Sequence, residues 1–107
     1  MLLLDDDDEL PSTPAQGEAS LTAKLSAEAL ERIDAALIHA ARPSWLKVAR
    51  IVYEAVEAGR FDPSDDGCLH LHVRRIIQLT HVGALEAQGN LRRPRWSEVR
   101  ISNRAAV

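Results

Sequence analysis

The side chains able to do chemistry gather in the second half of this sequence. Cys68, His70 and His72 alternate along the chain, and they are donor types that bind zinc. On a helix only residues three or four apart share a face, so Cys68 and His72 can reach one point while His70 turns away. Two donors do not close a tetrahedral site, and His39, His81 and the run Asp5 to Asp8 add no cluster with metal-site or EF-hand spacing. No bound metal is therefore expected. Cys68 would be a nucleophile only beside a base, and a semi-buried structural thiol is the expected state. The chain contains no G-x-S-x-G, P-loop, dinucleotide fingerprint or H-E-x-x-H. It is accordingly expected to be no enzyme and to hold no cofactor, and no small-molecule ligand is evident.

A second group consists of Arg74, Arg75 and Gln78 on one segment and Arg92, Arg93 and Arg95 on another. Arginine and glutamine on a helix can contact phosphates or base edges, and an arginine-rich hairpin can reach the neighbouring backbone. Leu71 lies among the first three. An apolar side chain at the centre of such a face suits a protein interface better than phosphate contact, which favours a partner protein or a homodimer and keeps DNA as the alternative. Trp96 is expected to cover the base of the hairpin; if exposed, it would mark a binding hot spot.

Charge is divided along the chain. The 107 residues carry 13 basic and 16 acidic side chains. Up to Ser20 there are six acids and no Lys or Arg, whereas from Cys68 onward seven arginines face two glutamates. An acidic tail before a basic end is a pattern of interaction segments, and the tail could compete with phosphate for the basic face. One cysteine permits no internal disulfide, so a reducing cytoplasm is the expected compartment. No apolar run is long enough to span a bilayer, and Leu2 to Leu4 are too few for a signal peptide, so a soluble protein without membrane contact is expected.

The elements that must position these residues follow from periodicity. Residues 1–24 mix the Asp run with Pro, Ser and Gly, show no sustained apolar period, and predict a flexible acidic tail. Ser26 is an N-cap, Leu25 and Leu30 a hydrophobic staple, and Leu30, Ile33, Leu37, Ala40 and Ala41 the buried stripe of a first helix ended by Pro43. Ser44 can cap a second helix carrying Trp45, Val48, Ala49, Val52 and Val56, with Trp45 anchoring the core, an Arg50–Glu54 pair and Gly59 as its stop. A third helix runs from Asp66 to Val82, with Leu69, Val73, Ile76, Ile77 and Thr80 inward and Leu71, Arg74, Arg75 and Gln78 outward, and stops at Gly83. The period then changes to two over Leu85–Gln88 and Glu98–Ile101, predicting two strands joined by a basic loop from Gly89 to Trp96.

Three helices and a C-terminal two-stranded β-hairpin wing are the order of a mainly α, winged helix-turn-helix-like domain. It is placed at residues 25–104, with 105–107 a short C-terminal tail. From Ser26 to Ser102 the chain resembles a bacterial family known only as a domain of unknown function, number 3658. The resemblance rests on Trp45-Leu46-Lys47-Val48-Ala49-Arg50, on Arg75-Ile76-Ile77, on Gly83-Ala84-Leu85-Glu86-Ala87-Gln88-Gly89, and above all on Arg95-Trp96-Ser97-Glu98-Val99-Arg100. It implies a domain boundary near Leu25 and no mechanism. The expected contact residues are thus Leu71, Arg74, Arg75, Gln78, Arg92, Arg93, Arg95 and Trp96.

Overall fold

The computed structural model of the chain describes residues 9–102. Its elements run α1 (Gln16–Lys24), α2 (Ala27–Ala40), β1 (Leu46–Lys47), α3 (Val48–Ala58), α4 (Asp66–His81), β2 (Leu85–Gln88) and β3 (Glu98–Ile101). About half of the described chain is helical. No described helix is long and apolar enough to cross a membrane.

Local chemistry explains most of the element ends. Ser26 caps α2, its Oγ accepting the Ala29 N–H at 3.1 Å, and Asp65 caps α4 through the N–H groups of Gly67 and Cys68. Each side chain satisfies amides that the first helical turn leaves unpaired. At the other end of α4 the Gly83 N–H reaches the Thr80 carbonyl and the Ala84 N–H the Leu79 carbonyl. Gly83 takes φ +87°, the left-handed conformation that closes a helix in this way. α3 ends by the same motif one residue later than its glycine indicates. Gly59 stays right-handed, and Arg60 takes the left-handed position with φ 59°.

Buried side chains from five elements meet in one core: Leu37 of α2, Ile51 and Val52 of α3, Leu69, Val73 and Ile76 of α4, Leu85 of β2 and Val99 of β3. The two strands occupy the residues that the period-two pattern marked, with Leu85 opposite Ile101 and Gln88 opposite Glu98.

Four expectations are corrected. The sheet has three antiparallel strands in the order β1-β3-β2, because Leu46 and Lys47 pair with Val99 and Glu98. That pairing draws residues 46–47 out of the second predicted helix, so α3 starts at Val48 with Lys47 at its N-cap in place of Ser44. Trp45 therefore lies outside the core, half-buried, with the Arg100 guanidinium 4.4 Å above its ring. Finally, the residues assigned to a tail up to position 24 contain α1, and Leu10 is fully buried in the core. α1 packs on α4, so the folded unit begins well before residue 25. The acidic run Asp5–Asp8 and the expected tail at 105–107 lie outside the described residues.

Candidate functional site

α4 was expected to show Leu71, Arg74, Arg75 and Gln78 to solvent, and α1 changes that. Leu71 is 3% exposed, a correction caused by α1 lying across the helix face opposite Leu69 and Val73. The two helices approach closely at paired glycines: a Cβ on Gly67 would sit 2.8 Å from the carbonyl carbon of Gly17.

Arg74 is held by this contact. Its Nε donates to Glu18 Oε2 at 2.5 Å, and its Nη2 donates to Glu18 Oε1 and to the Pro11 carbonyl, each at 3.0 Å. The Glu18 side chain is 1% exposed, so the pair is largely withdrawn from water on the acidic side. Arg75 forms a second fork, from Nε to Asp34 Oδ1 at 2.9 Å and from Nη2 to Oδ2 at 2.7 Å. These hydrogen bonds to Asp34 raise the guanidinium pKa further and fix its cationic form. Neither arginine projects freely to water. Gln78 alone of the four helix candidates is exposed.

The hairpin residues divide in the same manner. Arg92 is bound to the N-terminal segment: its Nε donates to the Leu10 carbonyl at 2.8 Å, its own carbonyl accepts the Leu10 N–H at 2.7 Å, and Glu9 stands 3.4 Å from Nη1. Arg93 is half-buried and shapes the loop through its carbonyl, which accepts the Trp96 N–H at 2.9 Å and the Ser97 hydroxyl at 3.0 Å. Arg95 and Trp96 are exposed, Trp96 at 59%. Of the expected contact residues, the structure leaves Gln78, Arg95 and Trp96 open to solvent.

The loop that carries Trp96 is anchored. The Ala49 and Val48 amides at the start of α3 donate to the Pro94 and Ser97 carbonyls at 3.0 and 3.1 Å. At its base Gly89 has φ +84°, and a Cβ there would lie 2.8 Å from the Trp96 carbonyl oxygen, so the close approach of the two loop ends requires glycine. An exposed tryptophan is thus presented on a fixed turn, and the Arg95 side chain is exposed beside it.

Cys68 and His72 share a face of α4, with Sγ 3.7 Å from Nδ1, and both are buried. His72 Nδ1 lies 2.8 Å from the Cys68 carbonyl. A carbonyl only accepts, so Nδ1 carries the proton. Burial lowers the imidazole pKa, opposed by that hydrogen bond, and holds the ring neutral. Burial first, and then the carboxylates of Asp65 and Asp62, push the Cys68 thiol up to about 11. It remains protonated at neutral pH, the wrong state for a nucleophile or a thiolate ligand. Among the described residues no group of three His, Cys, Asp or Glu side chains is placed to hold a metal ion.

The residues that sequence reasoning missed are Leu10 and Glu18, which cover the face assigned to a partner. A detectable signal was present in α4 itself. Cys68, Leu69, Leu71, Val73, Ile76, Ile77 and Leu79 surround the helix with apolar side chains, a pattern of helices buried on more than one side. No family model, curated protein or solved structure matches the chain.

Proposed function

We propose that this chain is a non-catalytic interaction domain of winged-helix-like organisation that binds a partner protein through the connection between β2 and β3. Trp96 is its anchor, with the exposed Arg95 at the rim. The observation that carries this reading is the 59% exposure of Trp96 on a turn fixed by backbone hydrogen bonds to α3. A large, rigid, amphipathic ring presented in this way loses little entropy on binding, which is why tryptophan is enriched at the energetic centres of interfaces. The flanking Arg95 favours an acidic border on the partner. Membership of the bacterial family that Arg95–Arg100 resembles, a cytoplasmic location and independence of any cofactor belong to the same proposal.

The competing reading is a DNA-binding regulator in which α4 enters the major groove. It requires α1 to leave α4, and Arg74 and Arg75 to exchange the carboxylates of Glu18 and Asp34 for phosphates. A carboxylate of the N-terminal segment paired with an arginine of the helix, as Glu18 is with Arg74, is what an autoinhibited DNA binder would use. The two readings separate in one set of measurements. Under the interaction reading, Trp96→Ala abolishes co-purification of a defined partner, or self-association in sedimentation, while leaving the circular dichroism unchanged. Duplex DNA then produces no anisotropy change with the intact chain at low salt. DNA binding that weakens steeply with salt and is indifferent to Trp96→Ala would replace it with the DNA reading.

A further inference from the structure

The fold delivers the acidic start of the chain to the surface that carries Trp96. Leu10 is buried and joined to Arg92 in both directions, and the Glu9 carboxylate stands 3.4 Å from Arg92 Nη1. Residues 1–8 lie outside the described residues. They are bonded to Glu9, so covalent geometry alone sets Asp8 beside the connection between β2 and β3. Their sequence is a methionine, three leucines and four aspartates, with no Lys or Arg.

The connection they meet has the opposite charge. From Gly89 to Ser97 there are three arginines and no acid. Glu9 already faces Arg92, while Arg95 and Trp96 are exposed. Reach is sufficient. The Trp96 N–H donates to the Arg93 carbonyl, and a turn of this kind holds its first and last Cα within about 7 Å, so the Trp96 Cα is no farther than about 11 Å from that of Arg92. Four aspartates span up to about 14 Å, and the leucines before them reach up to about 25 Å from Glu9. A single exposed ion pair is weak, but a short tether supplies an effective concentration on the order of 1 mM. Aliphatic packing on an exposed indole adds to it.

We propose that residues 1–8 dock on the tip of this connection, with Asp5–Asp8 facing Arg95 and with Leu2, Leu3 and Leu4 against the Trp96 indole, and that a partner must displace them. The inference deepens the interaction reading, because the surface under competition is the one assigned there to the partner. Aliphatic residues followed by acids are then the chemistry that this surface recognises.

The test follows the Trp96 indole N–H by NMR in the full chain, the signal being assigned by its loss in Trp96→Ala. One variant combines Asp5→Asn, Asp6→Asn, Asp7→Asn and Asp8→Asn; a second combines Leu2→Ser, Leu3→Ser and Leu4→Ser. Both are expected to shift the indole signal at low salt. Salt of about 1 M, which screens charges beyond about 3 Å, should move the signal of the unmodified chain toward that of the Asn variant. The amidated peptide of residues 1–8, added as a probe, should bind the Asn variant with Kd of about 0.1 mM and the unmodified chain about tenfold more weakly, because the tethered copy competes at about 1 mM. Arg95→Ala added to the Asn variant should weaken the peptide further. An indole signal identical in the unmodified chain and both variants overturns the proposal, as does equal affinity of the peptide for the unmodified chain and the Asn variant. A shift that grows with protein concentration assigns the surface to the segment of a second copy and overturns it too. These readings need no partner: failed docking leaves Trp96 as the partner's anchor, and a partner indifferent to Trp96→Ala leaves the docking intact.

Discussion

Glu18 and Arg74 stand 56 positions apart and form a two-pronged ion pair on the outer face of α4. The pair commits one of the two arginines that an exposed α4 would offer to a partner. Three further contacts belong to the same seam: Gly67 against Gly17, the Pro11 carbonyl on Arg74, and Leu10 joined in both directions to Arg92. The N-terminal segment thus ties α4 to the hairpin connection, leaving that connection's tip as the open part of the surface.

Breaking the Glu18–Arg74 pair should cost much more than breaking a solvent-exposed pair. Glu18→Gln removes the charge from a side chain withdrawn from water and is expected to destabilise the fold by about 2 kcal/mol, reduced from the fully buried case because Arg74 retains some exposure. Arg50→Ala breaks the i,i+4 pair with Glu54, whose members are 62% and 40% exposed, and should cost no more than about 0.5 kcal/mol. Urea denaturation of the two variants provides the comparison.

The two glycines of the seam should respond oppositely to alanine. A Cβ on Gly67 meets the backbone of Gly17 and Glu18 at 2.8 to 3.0 Å, and backbone yields little, so Gly67→Ala is expected to lose about 1 to 3 kcal/mol. A Cβ on Gly17 meets nothing within 4 Å, and Gly17→Ala should gain up to about 1 kcal/mol from helix propensity. Thermal melts of both variants read the contrast.

His72 should make the fold acid-sensitive. Burial lowers its pKa below the ordinary 6.5, so the folded state binds a proton less readily than the unfolded chain. Stability is full above the ordinary value, falls as pH drops through it, and levels off once the folded imidazole is itself protonated. Denaturation midpoints should therefore decline below pH 6.5, and His72→Gln should flatten that decline. An identical pH profile in the variant would remove His72 as its cause.

Leu71 and Trp96 should exchange the roles that their spacing in the sequence gives them. Leu71 is 3% exposed and Trp96 59% exposed. Leu71→Ala is expected to cost about 2 to 4 kcal/mol by opening a cavity under α1. Trp96→Ala should cost at most about 1 kcal/mol and act on binding instead. Equilibrium unfolding distinguishes them without any knowledge of the partner.

The parts of the fold legible in the sequence are those with local signals. Ser26 and the stripe Leu30, Ile33 and Leu37 announce α2, Gly83 closes α4, and alternation marks β2 and β3. The rest depends on contacts distant in the chain. α1 offers only Leu21 and a few alanines as an apolar face, and no side chain caps its start. Its placement comes from Leu10, Glu18 and Gly17 meeting residues of α4 and the hairpin that no local pattern relates to them. β1 is two residues long and exists only because Val99 and Glu98 lie opposite. For the candidate site, Arg95 was identifiable as an exposed hairpin residue, whereas Trp96, expected to cover the base of the hairpin, is 59% exposed, and Leu71, Arg74 and Arg75 were assigned to solvent by a period that assumes one buried face.

The closing of α4 by the chain's own N-terminal segment is most directly measured by amide hydrogen exchange on the intact protein. Amides of α1 from Ala19 onward should exchange slowly and in step with those of α4, and both should speed up together in Gly67→Ala. Exchange of residues 16–24 at the rate of a free chain, with α4 still protected, would return Leu71 and Arg74 to solvent and contradict the covered face.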